Sequence, residues 1–439
     1  MTRVPADVAA RVTARSIRRT YLLLQLLTTL AASFIWGINT LFLLDAGLSN
    51  TEAFAANGFF ALGQVIFEVP TGVVADTRGR RFSFLLGAAT LLVSTLLYML
   101  MWGWHAPFWA WAAASALLGL GFTFFSGATE AWLVDALRAT HFEGSLEEVF
   151  GQAQTVSGVA MLGGSVAGGF IAQATNLGVP FIIRAAMLGV TLVVAFWAMH
   201  DVGFTPQRGA SPAKAVRTVL SGAVDGGFRN PPVRWLMLAS PFTAGVSFFA
   251  FYAMQPYLLQ LYGDPSAYGI AGLAASMVAA AQILGGLVVP RVRRLFTRRT
   301  DALLLGAVLD VVLLAGIGLF PSFTVAIVLL GIWCLTFALQ SPFRQAYVNG
   351  LIPSEQRATV LSFDNLMGSA GGAVIQPVLG RVADVSGYAT SYVVSSAITA
   401  VAVPFVWLAR RERASSDPIE EGVEPVAPGD APAIDEVAA

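Results

Sequence analysis

The chain is built from apolar segments that are long enough to cross a lipid bilayer. A membrane-spanning helix needs about 20 apolar residues, so 439 residues joined by short loops leave room for about twelve. Hydrophobic residues make up 56% of the sequence and charged residues 12%, whereas about a quarter of residues are charged in soluble domains. The pattern therefore predicts an all-α integral membrane protein. The predicted helices span residues 20–44, 53–75, 82–104, 108–136, 149–174, 180–200, 235–260, 267–290, 301–320, 324–348, 358–384 and 388–409.

The basic residues lie almost entirely on one side of these helices. The turns on the other side hold no Lys or Arg, and they fall near residues 49, 105–107, 176–180, 263–265, 321–322 and 387. All basic residues except Arg184, Arg344 and Arg381 belong to the opposite turns, the central connection or the termini. Because basic loops stay in the cytoplasm, we expect an even number of spans with both termini inside.

The longest internal connection divides the chain into two halves. It is rich in Gly, Pro, Ser and Arg, and a surface helix is expected within it near residues 213–224. The predicted units are a cytoplasmic segment (1–19), a six-helix bundle (20–200), a cytoplasmic loop (201–234), a second six-helix bundle (235–409) and a disordered acidic tail (410–439). Two parallel repeats of this kind enclose a cavity at mid-membrane.

A charged turn between the second and third predicted helices carries the most specific motif. Residues 68–81 read EVPTGVVADTRGRR, and the spaced positions are Gly72, Asp76, Gly79, Arg80 and Arg81. The stretch resembles the loop between helices 2 and 3 of the major facilitator superfamily of secondary transporters. The resemblance covers roughly residues 20–410 and implies twelve helices that work by alternating access. In the family the loop aspartate pairs with its arginines and with the start of helix 11, which helps to close the cytoplasmic side. A glycine at position 72 would let a second helix approach.

A second pair of residues is expected to belong to the same cytoplasmic gate. Glu130 opens the sequence EAWLVDAL, and Arg344 opens RQAYVNGL at the equivalent position of the second half. In the family these helices face each other across the cavity, so we expect the two side chains to pair when the inner side closes. The alternatives are that Glu130 neutralises the arginines of the 78–81 turn and that Arg344 pairs with a cytoplasmic carboxylate.

Carboxyl groups inside the predicted helices are candidates for carrying a coupling proton or another cation, because buried charges are costly and mark function. The candidates are Glu68, Glu130 and Asp364, and the alternative for Glu68 is neutralisation by a structural partner such as an arginine. Ser115 stands where many proton-coupled drug exporters of the family have an arginine, which departs from their usual coupling arrangement.

Three further charged residues have no assigned role. Asp310 lies in the ninth predicted helix, where a hydrogen bond between helices is the favoured interpretation over a part in transport. Arg184 and Arg381 lie close to outer helix ends. Both are expected to extend to the interface, with an extracellular gate as the alternative.

Aromatic and amide side chains are the candidates for lining the cavity. They are Trp36, Asn39, Gln64, Phe124, Tyr252, Gln255 and Gln340. Aromatic walls with a few polar groups suit amphipathic organic solutes, cations among them. No phosphate-binding loop or catalytic cluster stands out, so the sequence predicts neither an enzyme nor a protein with a metal or cofactor.

The sequence therefore predicts a monomeric secondary transporter of a bacterial inner (plasma) membrane, without a nucleic-acid partner, that exports a small amphipathic compound in exchange for protons. The EVPTG stretch and the EAWLVD end of the fourth helix look like those of bacterial exporters in the family. Two alternatives remain open: an importer or facilitator for a sugar or organic acid, and a membrane scaffold or sensor without transport activity.

Overall fold

The computed structural model describes residues 13–206, 223–352 and 354–419, together with residues 214, 216, 217 and 221. Most of the described residues are helical. The helices are α1 (Ala14–Trp36, then Asn39–Asp45), α2 (Asn50–Arg78), α3 (Arg80–Trp104), α4 (Phe108–Thr123, then Ala128–Ala139), α5 (Leu146–Ala174), α6 (Gly178–Ala198), α7 (Pro231–Tyr262), α8 (Tyr268–Arg293), α9 (Arg299–Leu319), α10 (Phe323–Asn349), α11 (354–386) and α12 (388–400, then Ala402–Arg411). A single π-helical turn, Ala223–Phe228, precedes α7, and the predicted surface helix near 213–224 lies largely outside the described residues.

The helix order agrees with twelve membrane crossings. Among the described residues, ten helices are long and apolar enough to span, or eleven when the two pieces of α1 count as one span bent by 49°. One of them, Thr359–Arg411, has 53 residues. As a single rod it would measure about 80 Å, more than twice the bilayer core of about 30 Å. Gly387, with a φ of 82°, breaks it into α11 and α12. The all-α membrane prediction is confirmed.

The bend in α1 is stabilised from the other half of the chain. Gln255 of α7 donates to the carbonyl of Trp36 at 2.7 Å and accepts from the N–H of Thr40 at 3.1 Å. These are backbone groups that a continuous helix would have satisfied itself. Gln255, a cavity candidate from the sequence, is fully buried and is not among the residues that line the central cavity described below, because its amide bonds to the backbone at the bend.

The helix α4 also breaks, between Thr123 and Ala128, where Gly127 has a φ of 67°. The break places Phe124 against α3. A Cβ added at Gly87 of α3 would collide with the side chain of Phe124. The Phe124 carbonyl accepts from the Ser83 hydroxyl at 2.9 Å. Phe124 therefore packs against α3 of its own half and is not among the residues that line the central cavity described below.

Both chain ends carry more structure than expected. Helix α1 begins at Ala14, inside the predicted lead-in, because Thr13 and Ser16 form a reciprocal capping box. The prediction of disorder from residue 410 onward is wrong for residues 410–419. In that stretch Asp417 is buried and accepts from the Thr300 N–H at 2.9 Å. The remainder of the predicted tail, 420–439, and residues 1–12 lie outside the described residues.

Candidate substrate pathway

A central cavity of about 530 Å³ lies between the two halves. Four of the residues proposed from the sequence as cavity candidates line it: Trp36, Asn39, Gln64 and Tyr252. Seven further wall residues are aromatic and come from both halves: Phe60, Tyr98, Phe122, Phe248, Phe251, Trp333 and Phe337. Such a wall suits a solute with a large apolar body.

Arg184 of α6 lines the same cavity, and the expectation that it extends to the interface is wrong. It lies six residues into α6, about 9 Å from the outer end, and only 2% of it is exposed. Its Nε donates to the hydroxyl of Thr95 at 3.0 Å and its Nη1 to the carbonyl of Ala31 at 3.1 Å. These acceptors on α3 and α1 hold the side chain inward, which a reading of α6 alone could not reveal.

A second cavity of about 660 Å³ continues from the first towards the basic side of the protein. The two cavities share the wall residues Ala244, Ser247, Phe248 and Phe337. We refer to the second one as the inner cavity, because the positive-inside rule assigns its side to the cytoplasm. Its polar lining comes from the second half and includes Ser240, Asp310, Gln340, Arg344 and Asp364. Gln340, predicted to line the cavity, belongs to this inner part.

Arg344 and Asp364 form a two-pronged ion pair in the inner cavity. The guanidinium donates to the two carboxylate oxygens at 2.6 and 2.7 Å. The Ser240 hydroxyl donates to Asp364 at 2.7 Å and accepts from Arg344 at 2.7 Å. The group ties α7, α10 and α11 together. Glu130 is exposed in this structure, so the proposed partner of Arg344 is not the one bound here.

Two other carboxyl groups have neutral partners. Asp310 is buried and accepts from the Gln340 amide at 2.8 Å, while its second oxygen has no hydrogen-bond partner in the described part of the chain. This confirms the predicted inter-helix hydrogen bond. Glu68 is half-buried and accepts from the Ser126 hydroxyl at 2.7 Å. The partner bound to Glu68 is thus a hydroxyl at the break in α4.

The outer side is sealed where α11 meets the start of α2. The carboxylate of Asp384 accepts from the N–H groups of Asn50 and Thr51, both at 2.9 Å, and from the Thr51 hydroxyl at 2.5 Å. Tyr388 donates to the Asn50 side chain. A helix start attracts negative charge because its first N–H groups are free. Sequence reasoning missed this seal, although an acidic residue at the outer end of α11 was a usable signal.

A second outer contact joins α5 and α8. Gly169 and Gly272 pack so closely that a Cβ on either would collide with the other helix, and Gln173 accepts from the Gly269 N–H at 2.9 Å. Small residues of α5 and α8 therefore serve helix packing here.

On the basic side of the protein, the surroundings of two glycines are open. Among the described residues, a Cβ at Gly72 of α2, or at Gly286 of α8, would meet no atom within 4 Å. No described residue of a second helix comes within that distance of Gly72, so the expected approach of another helix stays a prediction. From the hydrogen-bonded outer end and the open space at these two glycines, we infer an inward-open form of the molecule.

The charged turn has the ion pair that the motif predicted. Arg80 and Asp76 are 2.6 Å apart. A single residue, Gly79, with a φ of 112°, connects the end of α2 to the start of α3. Such a φ favours glycine. The expected contact of Asp76 with the start of helix 11 concerns side chains at 354–356, which lie outside the described residues.

Asp201, which follows α6, binds this turn through its carboxylate. Its carboxylate accepts from the backbone N–H of Arg81 at 2.8 Å, and a Cβ at Gly79 would collide with it. Arg81 also donates to the Phe196 carbonyl at 2.5 Å. Burial raises the pKa of Asp201, while the hydrogen bond from Arg81 acts in the opposite direction. Sequence reasoning missed Asp201, although an acid directly after the sixth helix was available as a signal.

The fold and the two connected cavities define a multi-pass membrane transporter. The sequence profile of the Major Facilitator Superfamily matches residues 21–337 and 266–434. The chain belongs to this superfamily, whose members are transporters of small molecules that sit in a lipid bilayer.

A curated relative and several solved structures resemble the chain. The uncharacterized MFS-type transporter MJ1560 of Methanocaldococcus jannaschii is 22% identical over 195 residues, which are 44% of this chain and 48% of the relative. The match thus spans about half the length of that relative.

The solved structures match over most of their length. The nucleoside transporter NupG has a TM-score of 0.74 at 11% identity, covering 89% of this chain and 98% of that one. The POT family transporter PepTSo has a TM-score of 0.70 at 13% identity, covering 91% and 98%. A bacterial homolog of the human lysosomal transporter Spinster has a TM-score of 0.65 at 15% identity, covering 91% and 97%. At such identities the likeness concerns the fold.

Proposed function

We propose that the protein is a proton-coupled antiporter that exports small amphipathic organic compounds across a bacterial inner (plasma) membrane and works as a monomer. The observation that carries the proposal is the continuity of the two cavities. A solute that enters from the cytoplasm passes the polar inner cavity and reaches an aromatic chamber. The hydrogen bonds between Asp384 and the start of α2 close this chamber on the outer side. An importer passes through the same conformation, so the assignment of export rests on the exporter-like EVPTG and EAWLVD segments.

The inner cavity offers a carboxyl group suited to the coupling proton. Among the candidates, Glu130 is exposed and Asp364 is neutralised by Arg344. Glu68 is half-buried beside a hydroxyl. Asp310, which was not among the candidates from the sequence, is buried, has a single amide donor among the described residues and lines the inner cavity. We assign the coupling proton to Asp310 because a carboxyl group with no counter-ion can bind and release a proton without breaking an ion pair.

The transport experiment uses purified protein in lipid vesicles that carry a pH gradient, with a panel of fluorescent amphipathic dyes of positive, negative and zero charge. Export coupled to protons predicts that inside-out vesicles with an acidic lumen accumulate at least one dye. In Asp310→Asn, we expect accumulation against a gradient to vanish while exchange of dye across the membrane persists. Asp264→Asn, in an exposed outer turn, is the control and should behave as the wild type.

Two results would contradict this proposal. Dye accumulation that is unchanged in Asp310→Asn would remove that residue from coupling. Accumulation of sugars or organic acids, with no dye moved, would favour the importer. A deletion strain with unchanged susceptibility to every toxic amphipathic compound tested would argue against export.

We propose that Glu130 joins the cytoplasmic gate in the outward-open conformation. When the inner side closes, Arg344 would exchange Asp364 for Glu130, which lies exposed on the facing half. In an Asp364→Asn background, which avoids two facing carboxylates, swapping the charges as Glu130→Arg with Arg344→Glu should restore part of the transport lost in either single variant. A double variant as inactive as both single variants would remove the support for direct pairing.

A further inference from the structure

Arg184 sets the electrical character of the central cavity. Among the described residues that line this cavity none is acidic, and Arg184 is the one charged side chain. The carboxyl groups of the pathway, Asp310 and Asp364, line the inner cavity instead. A solute in the central chamber therefore meets a positive group and no negative one.

The guanidinium of Arg184 is held in place but incompletely bonded. Thr95 and the Ala31 carbonyl accept from Nε and Nη1. The Nη2 atom is buried and donates to no residue in the described part of the chain. A guanidinium carries five N–H donors in a rigid fork. Burying such a charge without an anionic partner is unfavourable, so a purely structural role would be served better by an apolar side chain.

We propose that the central cavity binds amphipathic organic anions, with Arg184 holding the acidic group and the aromatic walls holding the apolar body. A carboxylate, sulfonate or phosphate at this wall supplies both the missing acceptor and the missing counter-charge. The inference rests on the proposed function of the cavity as a solute site and narrows the class of solute to anions. It replaces the sequence-based suggestion that aromatic walls favour cations.

The chain contains a native reporter for this charge. Cys334 of α10 is its single cysteine, has a free thiol and lines the same cavity as Arg184. Two methanethiosulfonate reagents of similar size, one with a sulfonate and one with a trimethylammonium group, probe the chamber with opposite charges. Each reaction rate with Cys334 is divided by the rate of the same reagent with free cysteine.

In the wild-type protein we expect the sulfonate reagent to react faster, by about tenfold after this normalisation, because a nearby charge acts strongly in a chamber of low polarity. The preference should vanish in Arg184→Gln and persist in Arg184→Lys. Arg381→Gln is the matched control, since Arg381 is exposed and does not line the cavity. Because Arg184 is buried, added salt should reduce the preference only slightly.

Equal normalised rates in the wild type, or a preference that survives Arg184→Gln, would overturn the anion site. If Cys334 reacts too slowly to measure, Ser247→Cys in a Cys334→Ala background moves the reporter to a residue shared by both cavities. The labelling needs no transport. If the labelling shows no charge preference but the protein still accumulates dyes, the anion site alone is rejected. If the labelling shows the preference but no dye accumulates, coupled export alone is rejected.

Discussion

The carboxylate of Asp201 accepts a hydrogen bond from the backbone N–H of Arg81 at 2.8 Å, so a residue that follows α6 caps the start of α3. The second half repeats this contact. There Asp417, which follows α12, accepts from the N–H of Thr300 at the start of α9 at 2.9 Å. Helices α3 and α9 are the third of their halves, and α6 and α12 are the sixth. The weak repeat in the sequence thus corresponds to a repeated contact in the fold.

Removing the cap should destabilise each half. In Asp201→Ala the N–H of Arg81 loses its acceptor, and loss of a helix cap costs about 1 kcal/mol. Asp417→Ala should cost a similar amount through the N–H of Thr300. Thermal unfolding of the purified protein in detergent measures both. Glu143→Ala, in an exposed loop, is the control, and equal unfolding temperatures for all three variants would show that the capping contacts contribute nothing.

Asp201 should also make stability depend on pH. Burial raises its pKa above the ordinary value of 3.8, so the folded protein holds the proton more tightly than the unfolded chain does. The stability contribution from protonation is present below 3.8 and is lost as the pH rises through the folded pKa. Asn keeps a capping oxygen but does not titrate, so Asp201→Asn should abolish this decline. Parallel profiles of unfolding temperature against pH for the two proteins would contradict the assignment.

Two glycines of the motif should respond differently to the same change. Gly79→Ala places a side chain at a φ of 112° and against Asp201, and should cost more than about 1 kcal/mol. Gly72→Ala meets open space in the inward-open form, so it should leave the unfolding temperature unchanged. If α11 approaches Gly72 when the inner side closes, Gly72→Ala will still slow transport. Stability measurements and vesicle transport on both variants distinguish these effects, and equal destabilisation by the two changes would contradict the described geometry.

Weakening the outer seal should favour the outward-open form. Asp384→Asn removes a charge that three donors of Asn50 and Thr51 share, and hydrogen bonds to a charged group contribute about 1.5 to 3 kcal/mol. We expect the labelling of Cys334 by an impermeant thiol reagent from outside to rise about tenfold or more. Arg381→Gln, an exposed neighbour on α11, should label as the wild type does. Unchanged labelling of Asp384→Asn would show that the seal lies elsewhere.

Features that depend on local sequence could be predicted, and features that depend on the meeting of distant helices could not. The length of the apolar runs predicted the crossings, and the spacing of residues 72–81 predicted the ion pair of Asp76 with Arg80. By contrast, Arg184 looked like an interfacial residue because its acceptors, Thr95 and Ala31, come from other helices.

The roles of three polar residues escaped the sequence analysis for one physical reason. Gln255 was expected to face solute, yet the bend in α1 needs its amide. Asp384 and Asp201 were passed over because the donors they bind are the free N–H groups of helix starts far away in the chain. A hydrophobicity pattern reports how far a helix extends, but not which backbone groups a neighbouring helix leaves unsatisfied.

The positive wall that Arg184 contributes to the central cavity has an electrical consequence. On the assignment of this cavity to organic anions, each cycle would send a negative charge out and bring a positive charge in. Both movements go in the direction that a cell interior of negative voltage favours, each by about 2.3 kcal/mol per 100 mV. Voltage alone would then sustain expulsion in a bacterium whose interior and surroundings have reached equal acidity.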